Sequence, residues 1–319
     1  MKKYDITALG ELLIDFTENG ISEQGNTVFE ANPGGAPCNV LAMLATLGKK
    51  AAFIGKVGDD MFGHQLAKAV KEEGIDIDGI IFDKSVSTTL AFVHTLEGGE
   101  REFSFVRNPG ADMMLSVDDV KKALIADSKI FHFGTLSSTH EPVRSATRFA
   151  IDFAIESGAW ISFDPNLREL LWPDIDNARE EMRYGLSKCN ILKISDNEVE
   201  FLLGYNDYDR AAKELLEKYP NIKIMFITLG SQGSKAYTRT AMAQESAFSV
   251  KSIENTGAGD TFLGCALNYI IEHPGFEYNN YELHQLLRFA NAGAALVTTK
   301  KGALKSMPTM SEICEIIKD

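Results

Sequence analysis

The sequence ENTGAGDTFLGCALNYII, residues 254–271, decides how the rest of the chain is interpreted. Its small residues Gly257, Ala258 and Gly259 lead directly into Asp260, and apolar residues then recur at helical spacing. The pattern predicts a glycine turn that opens a buried helix. The first turn of a helix has N–H groups without intrahelical partners, which attract an anion where no bulky side chain blocks its approach.

Asp260 is the titratable side chain at the mouth of this predicted helix. A carboxylate there can take a proton from a hydroxyl group that attacks phosphorus, so an anion hole beside a base is typical of phosphoryl transfer. The alternative is an aspartate that merely caps its helix by accepting an N–H bond. A lone Gly-x-Gly-Asp favours the cap, because short motifs produce many false positives. The rest of the chain has to decide between the two.

Composition and charge narrow the class of protein. The chain has 319 residues, 45% of them hydrophobic and 24% charged, which is typical of a soluble globular enzyme. Its formal net charge of −13 repels polyanions, so we expect neither nucleic acid nor a membrane as a partner. The four cysteines are widely spaced, no apolar run approaches a membrane span, and charged residues interrupt any signal-peptide core. We therefore expect a cytoplasmic protein.

Strands and helices alternate along most of the chain. The hydrophobic pattern predicts strands at residues 4–9, 51–57, 129–133, 160–164, 190–194 and 222–229. It predicts helices within residues 32–48 after a Gly-Gly turn, and at 60–73, 141–157, 176–187, 209–218 and 281–299. This alternation is typical of an α/β fold with a central, mostly parallel sheet and helices on both faces.

Two regions depart from that alternation. Residues 88–107 contain two alternating strands around the turn EGGE, which predicts a hairpin. Together with residues 12–31, which are also strand-like, the hairpin predicts a small second sheet that covers a cleft as a lid. Shorter strands are predicted at 234–239 and 244–250, just before the glycine turn.

Three predicted strands stop at polar or glycine-rich segments, namely residues 164–168, 195–198 and 230–233. Ligands of open α/β sheets collect at the carboxyl ends of strands, so we expect a site there. The chain contains no G-x-x-x-x-G-K-[ST] and no dinucleotide motif, which disfavours P-loop enzymes and Rossmann dehydrogenases. It also contains no H-E-x-x-H and no G-x-S-x-G, which disfavours zinc proteases and α/β-hydrolases.

Six segments, in this order, resemble the ribokinase-like sugar kinase family of PfkB type, and within it the fructokinase branch. They are GGAPCNVLAMLATLGKKAAFIGKVGDD, FVRNPGAD, FDPNLRELLWP, ILKISDNEVEFLLG, TLGSQGS with NTGAGD, and FANAGAALVTTKKGA. The resemblance runs from Ile6 to about Pro308. It implies one kinase domain over residues 1–319, a three-layer α/β/α sandwich, with a lid formed by about 12–31 and 88–110 that also makes a dimer contact.

The resemblance also implies roles for individual residues. Asp260 matches the base that deprotonates the primary hydroxyl of the sugar, beside an anion hole of Gly257, Ala258 and Gly259, and Arg168 matches an arginine that reaches the substrate or the transferred phosphoryl group. The positions that hold the sugar match Asp15, Gly34, Gly35, Asn39 and, from the lid hairpin, Arg107. The positions that bind ATP match Lys193, Ser195, Thr228, Gly230, Gly233 and Asn291, and Glu198 matches a position linked to Mg²⁺ through water.

Three positions depart from the family pattern. Glu254, Asn255 and Thr256 stand where the family most often has Asp-Thr-Thr, which argues against a monovalent-cation (K⁺) site of the family type but leaves the base and the anion hole intact. Leu41 occupies a position that is usually small, and Ser195 stands where many ribokinases have Asn. We expect these changes to tune the enzyme without altering its reaction class.

The resemblance implies an ATP-dependent, Mg²⁺-requiring fructokinase that phosphorylates the 6-hydroxyl of fructose. The alternative within the family is 2-keto-3-deoxygluconate kinase, which shares the DPNLR and LW pattern, or another sugar kinase. A substrate with a carboxylate should need extra cationic or tyrosine donors near the lid, where Arg101 and Arg107 are the candidate cations. A different class of protein, a catalytically silent regulator that binds sugar or nucleotide, could lose Asp260 without unfolding, and Asp260 is present here.

Overall fold

The structure, a computed structural model, describes residues 2–95 and 101–318. Its strands, named in chain order, are β1 (Tyr4–Leu9), β2 (Leu13–Ile21), β3 (Thr27–Gly34), β4 (Ala51–Gly58), β5 (Asp76–Asp83), β6 (Leu90–Thr95), β7 (Arg101–Val106), β8 (Ser128–Phe133), β9 (Trp160–Phe163), β10 (Ile191–Ser195), β11 (Ile224–Thr228), β12 (Ser234–Tyr237) and β13 (Met242–Glu245).

The helices of the described residues are α1 (Ala36–Thr46), α2 (Met61–Glu72), α3 (Lys122–Ala126), α4 (Val143–Glu156), α5 (Ile175–Lys188), α6 (Asp196–Leu203), α7 (Tyr208–Lys218), α8 (Ala258–Glu272), α9 (Asn280–Val297) and α10 (Met310–Lys318). No helix in this part of the chain is long and apolar enough to cross a membrane.

Strands of the described residues form a larger sheet in the order β13-β12-β11-β10-β9-β8-β1-β4-β5. The pairs from β11 through to β5 are parallel, and only the β11–β12 and β12–β13 pairs among them run antiparallel. The prediction of a mostly parallel sheet is therefore confirmed.

Helices cover both faces of this sheet. Alternate residues of β11 show the division, because Ile224 and Phe226 pack into one apolar cluster while Met225 and Ile227 pack into the other. The first cluster contains buried residues of α1, α2, α8 and α9, and the second contains those of α4, α5 and α7. The predicted three-layer α/β/α sandwich is confirmed by this arrangement.

The two segments predicted to form a small sheet supply its four strands, in the order β3-β2-β6-β7. The β2–β6 pair is parallel, while β2–β3 and β6–β7 are antiparallel. The predicted EGGE turn, residues 97–100, lies outside the described residues. Phe16 of β2 stacks on Phe92 of β6 with ring centroids 5.0 Å apart and meets Phe62 of α2 edge-on at 5.7 Å, which joins the small sheet to the rest of the chain.

Some elements differ from the prediction. β5, α3, α6 and α10 were not predicted, and the strand expected over 244–250 ends at Glu245. β5 has the sequence DIDGIIFD, in which aspartates and Gly79, residues depleted in strands, weaken the strand signal of the apolar residues. α6 has a capping-box signal, since Ser195 accepts the N–H of Glu198 while the Glu198 carboxylate accepts the N–H of Ser195. The segment after Glu245 instead lines a cavity through Ala247, Phe248 and Val250.

Candidate active site

The glycine turn at the start of α8 has the geometry that its sequence predicts. Gly257 has a φ of 77°, in the left-handed region that favours glycine, and a Cβ atom there would lie 2.6 Å from the Cβ of Ala303. The turn exposes no bulky side chain at Gly257, Ala258 or Gly259. No bulky side chain therefore separates the first turn of α8 from the cavity that these residues line, although the N–H of Ala258 donates to the Asn255 carbonyl at 3.4 Å.

Asp260 lies in the first turn of α8 and is only 8% exposed. Its Oδ2 accepts a hydrogen bond of 2.8 Å from Nδ2 of Asn39, and its Oδ1 accepts one of 3.3 Å from Nδ2 of Asn166. Burial raises the pKa of Asp260 above its ordinary value, while the Asn39 amide and the positive charges of Lys193 and Arg168 lower it. The carboxylate is thus bound by amides of other elements, a geometry different from that of a simple helix cap.

A cavity of about 370 Å³, the first cavity, opens beside this carboxylate. The predicted site residues that line it come from five parts of the chain and are Asp15, Gly35, Asn39, Arg168, Lys193, Gly257, Ala258, Gly259 and Asp260. Val93 and Phe105 of the small sheet complete its wall. The small sheet therefore borders the cavity.

A second cavity, of about 470 Å³, lies on the other side of the glycine turn. It is lined by the residues predicted to bind ATP, namely Lys193, Ser195, Thr228, Gly230, Gly233 and Asn291, together with apolar side chains that include Phe248. Four residues line both cavities: Lys193, Asn255, Ala258 and Gly259. The two cavities therefore meet at the glycine turn.

Several glycines in these walls admit no side chain. A Cβ at Gly34 would lie 2.2 Å from Oδ2 of Asp15, and one at Gly35, whose φ is 130°, would lie 2.4 Å from the carbonyl oxygen of Glu11. In the second cavity a Cβ at Gly233 would lie 2.0 Å from the carbonyl oxygen of Glu245. Gly34 itself is not among the residues that line the first cavity; it leaves room for Asp15, which does line it.

A buried ion pair lies under the junction of the cavities. Nζ of Lys193 is 3.0 Å from Oδ2 of Asp164, and the two residues are 6% and 2% exposed. Burial raises the pKa of Asp164, and the negative charges of Glu198 and Asp260 raise it further, whereas Lys193 lowers it. Burial alone would lower the pKa of Lys193, yet these surrounding carboxylates hold it above its ordinary value. Lys193 is therefore a protonated cation at the junction.

Glu198 and Asn291 each connect two elements. The two carboxylate oxygens of Glu198 accept the N–H groups of Ser195 and Leu167, both at 2.8 Å, and the residue lines neither of the two cavities. Asn291 of α9 accepts from the Ser234 hydroxyl at 2.7 Å and donates to the carbonyl oxygens of Glu245 and Ser246, at the end of β13.

The described residues include no group of three or more His, Cys, Asp or Glu that could hold a metal ion.

Arg107 does not line the first cavity, although its hydrogen-bond partner Leu136 does. Its guanidinium group is buried, binds Asp112 through Nε at 2.9 Å, and donates to the Thr139 hydroxyl and the Leu136 carbonyl, both at 3.1 Å. In this structure it fixes the chain that follows β7, and a role in closing over the sugar stays a prediction. The side chain of Arg101 lies outside the described residues.

Two residues of the site were not singled out from the sequence. Glu11 is 5% exposed, lines the first cavity, and accepts the N–H of Ala36 at 2.8 Å, so it caps α1 from outside the helix. Burial raises its pKa to about 7. Asn166 follows β9 within the quoted FDPNLRELLWP segment, but no local pattern shows that its amide turns toward Asp260.

The chain is similar to known proteins over almost its whole length. The sequence profile described as pfkB family carbohydrate kinase matches residues 3–310. A relative from Arabidopsis thaliana, probable fructokinase-2, is 44% identical over 98% of this chain and 95% of its own length.

Two solved structures are similar over almost their whole length. The fructokinase of Xylella fastidiosa with bound ATP superimposes with a TM-score of 0.88 and 32% identity, covering 99% of this chain and 98% of that one. The fructokinase of Vibrio cholerae O395 in its fructose, ADP and calcium ion bound form has a TM-score of 0.88 and 29% identity, covering 98% of this chain and 99% of that one.

Proposed function

Since this chain belongs to the pfkB family of carbohydrate kinases, we propose that it is an ATP-dependent fructokinase. It transfers the γ-phosphoryl group of ATP to an alcohol group of fructose, and we assign the 6-hydroxyl as the acceptor. The observation that carries the proposal is the meeting of two cavities at the α8 glycine turn, with the carboxylate of Asp260 facing one of them.

In the proposed reaction the sugar occupies the first cavity and Asp260 removes the proton of its attacking hydroxyl. The burial that raises the pKa of this carboxylate also makes it a stronger proton acceptor than an exposed aspartate. Asn39 supports a sugar in this position, because its Oδ1 is buried without a hydrogen-bond partner in the described structure while its Nδ2 donates to Asp260. An acceptor of that kind suits a sugar hydroxyl.

The phosphoryl group then crosses the junction between the cavities. The N–H groups at Gly257 and Gly259 offer donors to its oxygens, and Ala258 can add a third by giving up its 3.4 Å bond to the Asn255 carbonyl. Lys193, which lines both cavities, contributes a fixed positive charge. Arg168 is exposed at the rim of the first cavity, so its guanidinium can reach equatorial oxygens as charge develops on them.

We propose that Mg²⁺ accompanies ATP, bound mainly by phosphate oxygens and water. Such a site needs few protein ligands, since Mg²⁺ commonly keeps several waters, and this fits the described residues. The oxygens of Glu198 already accept two main-chain N–H groups, so its contribution runs through water. When bound, the ion neutralises charge on the transferred phosphate.

The residues at the position of the family-type K⁺ site are bound to each other and to a neighbouring loop. The carboxylate of Glu254 accepts the Thr256 hydroxyl at 2.6 Å and the N–H of Gly302 at 3.0 Å, so it joins the two loops on that side of the first cavity. Glu254 and Thr256 belong to the three residues that depart from the family pattern at the K⁺ site, and these contacts already use their polar groups. We assign no step of the reaction to K⁺.

Fructose is favoured over 2-keto-3-deoxygluconate by the charges in the first cavity. Its described cations are Arg168 and Lys193, while Glu11, Asp15, Glu254 and Asp260 contribute carboxylates to the same wall. Lys193 is already paired with Asp164. A substrate carboxylate would therefore compete with the phosphoryl group for Arg168, whereas a neutral ketose would not.

A coupled assay of ADP release across fructose, 2-keto-3-deoxygluconate, ribose, tagatose and adenosine tests the proposal. We expect fructose to give the highest kcat/KM. A higher value for 2-keto-3-deoxygluconate would replace the assignment by the keto-acid kinase. Sugar and ATP binding without turnover of any substrate would favour the silent regulator.

We also propose that the chain acts as one kinase domain, with the small sheet as its lid, and that this sheet joins two copies as a homodimer in the cytoplasm. Exposed apolar side chains on the small sheet support the dimer, with Ile21 67% and Val106 58% exposed. Light scattering of the purified chain, compared with that of an Ile21→Lys variant, tests the assembly.

A further inference from the structure

Asn166 has a left-handed backbone conformation, with a φ of 44°. Phe276 is the other non-glycine residue with positive φ among the described residues. Glycine adopts this conformation without strain, and asparagine tolerates it better than most residues. An asparagine rather than a glycine at this position therefore suggests that the side-chain amide is needed.

The loop that carries Asn166 is held on both sides. The carbonyl oxygen of Pro165 accepts hydrogen bonds from both the N–H and the hydroxyl of Thr135, at 3.1 and 2.6 Å. The N–H of Leu167 donates to Glu198 at 2.8 Å, and the N–H of Asn166 itself donates to Asp164 at 3.2 Å. These bonds keep the loop in one conformation without any help from the Asn166 side chain.

The Asn166 amide is therefore free to act on a neighbour, and that neighbour is Asp260. Its Nδ2 lies 3.3 Å from Oδ1, while Asn39 of α1 binds Oδ2 at 2.8 Å. The two carboxylate oxygens are thus each bound by an amide from a different element. Two such bonds fix the rotation of the carboxylate plane, which a single bond leaves loose.

We propose that Asn166 is a positioning residue that orients the Asp260 carboxylate toward the acceptor hydroxyl and favours its ionised form. The proposal rests on the proposed function, in which Asp260 is the base. Asn166 acts through Asp260 and needs no contact with the sugar.

The pH dependence of kcat distinguishes the positioning role from a purely structural role for Asn166. In the positioning role the amide donates to the carboxylate, so its removal should raise the pKa of Asp260 and move the acid limb of the kcat–pH profile to higher pH. Other charges around Asp260 are Lys193 on β10, Arg168 and Asp164 after β9, and Glu11 after β1, and an Asn166 substitution leaves all of them in place. A loss of stability alone has no reason to move this limb.

Asn166→Gly is the sharpest variant, because glycine keeps the left-handed backbone and removes only the amide. We expect kcat for fructose to fall about 10-fold to 100-fold, as for a misplaced catalytic group, with KM for ATP unchanged. We expect the acid limb to move upward by about half a pH unit or more. Phe276→Gly is the control for a relaxed left-handed residue far from the site, and it should leave the kinetics and the pH profile unchanged.

A wild-type kcat and acid limb in Asn166→Gly would overturn the proposal, as would a fall in kcat with an unmoved acid limb. Asp260→Asn separates this failure from that of the proposed function. If Asp260→Asn is inactive while Asn166→Gly behaves as wild type, only the positioning role is lost. If Asp260→Asn remains active, the assignment of the base fails and the positioning role fails with it.

Discussion

Nζ of Lys193 lies 3.0 Å from Oδ2 of Asp164 in the buried layer beneath the point where the two cavities meet. A buried ion pair is weak support for stability, because the cost of desolvating two charges offsets most of their attraction. This pair is placed where a phosphoryl group would cross from donor to acceptor. Its position therefore supports the proposal that Lys193 supplies charge to the reaction.

Replacement of one partner should separate these two roles. We expect Lys193→Met to destabilise the fold by roughly 3–5 kcal/mol, because Asp164 is left buried and unpaired. The double variant Lys193→Met/Asp164→Asn should recover most of that loss but should still turn over fructose poorly. Urea unfolding and steady-state kinetics of both variants measure the two effects. Full activity in the double variant would show that the pair serves only the fold.

The glycine turn can be tested against a matched glycine. Gly257 and Gly74 have nearly the same φ, 77° and 79°, but a Cβ at Gly257 meets Ala303 at 2.6 Å whereas one at Gly74 meets nothing within 4 Å. We expect Gly74→Ala to cost about 1 kcal/mol from backbone strain alone and to keep wild-type kcat. Gly257→Val should cost more and should lower kcat, because it distorts the turn and blocks the N–H groups. Equal kinetics in the two variants would argue against the anion hole.

Glu11 gives the pH dependence of stability a definite sign. Burial raises its pKa from 4.5 to about 7, so the folded chain binds more protons at this group than the unfolded chain does between those values. The contribution of Glu11 to the free energy of unfolding is therefore most favourable below the pKa of the unfolded chain, and it is lost as the pH rises toward 7. By this linkage the loss is on the order of 3 kcal/mol.

Glu11→Gln is the variant that measures this effect, since its amide oxygen can still accept the N–H of Ala36. We expect the free energy of unfolding of the wild type, minus that of the variant, to fall between about pH 5 and pH 7 and then to level off. Arg107 and Asp112, which also act on Glu11, are unchanged in the variant. A difference that is constant across this range would contradict the raised pKa.

The fold was largely predictable because its signals are local. The apolar run of β11, the periodicity in α8 and the polar ends of β9, β10 and β11 all depend on neighbouring residues in the sequence. The elements that were missed had weaker local signals, as in β5, or a signal that was present but unused, as in the capping box of Ser195 and Glu198.

The site was less predictable because its contacts join distant parts of the chain. Asn39 and Asp260 are 221 residues apart, and only the fold brings the amide within 2.8 Å of the carboxylate. The same is true of Glu11, which caps a helix that begins 25 residues later. Arg107 shows the same limit, since the resemblance assigned it to the sugar without indicating that the fold would pair it with Asp112, and its role toward the sugar stays a prediction. Sequence patterns name residue types, but they do not fix where a long side chain turns.

Asp260→Asn is the decisive test of the chemistry. An asparagine has nearly the same shape and keeps an oxygen that can accept the amide of Asn39, but it cannot take a proton. We expect kcat to fall by at least about 10²-fold, the usual size of a lost acid–base contribution, while calorimetric binding of ATP stays nearly unchanged because the second cavity is untouched. Loss of ATP binding together with activity would indicate a folding defect instead, and retention of full activity would rule out Asp260 as the base.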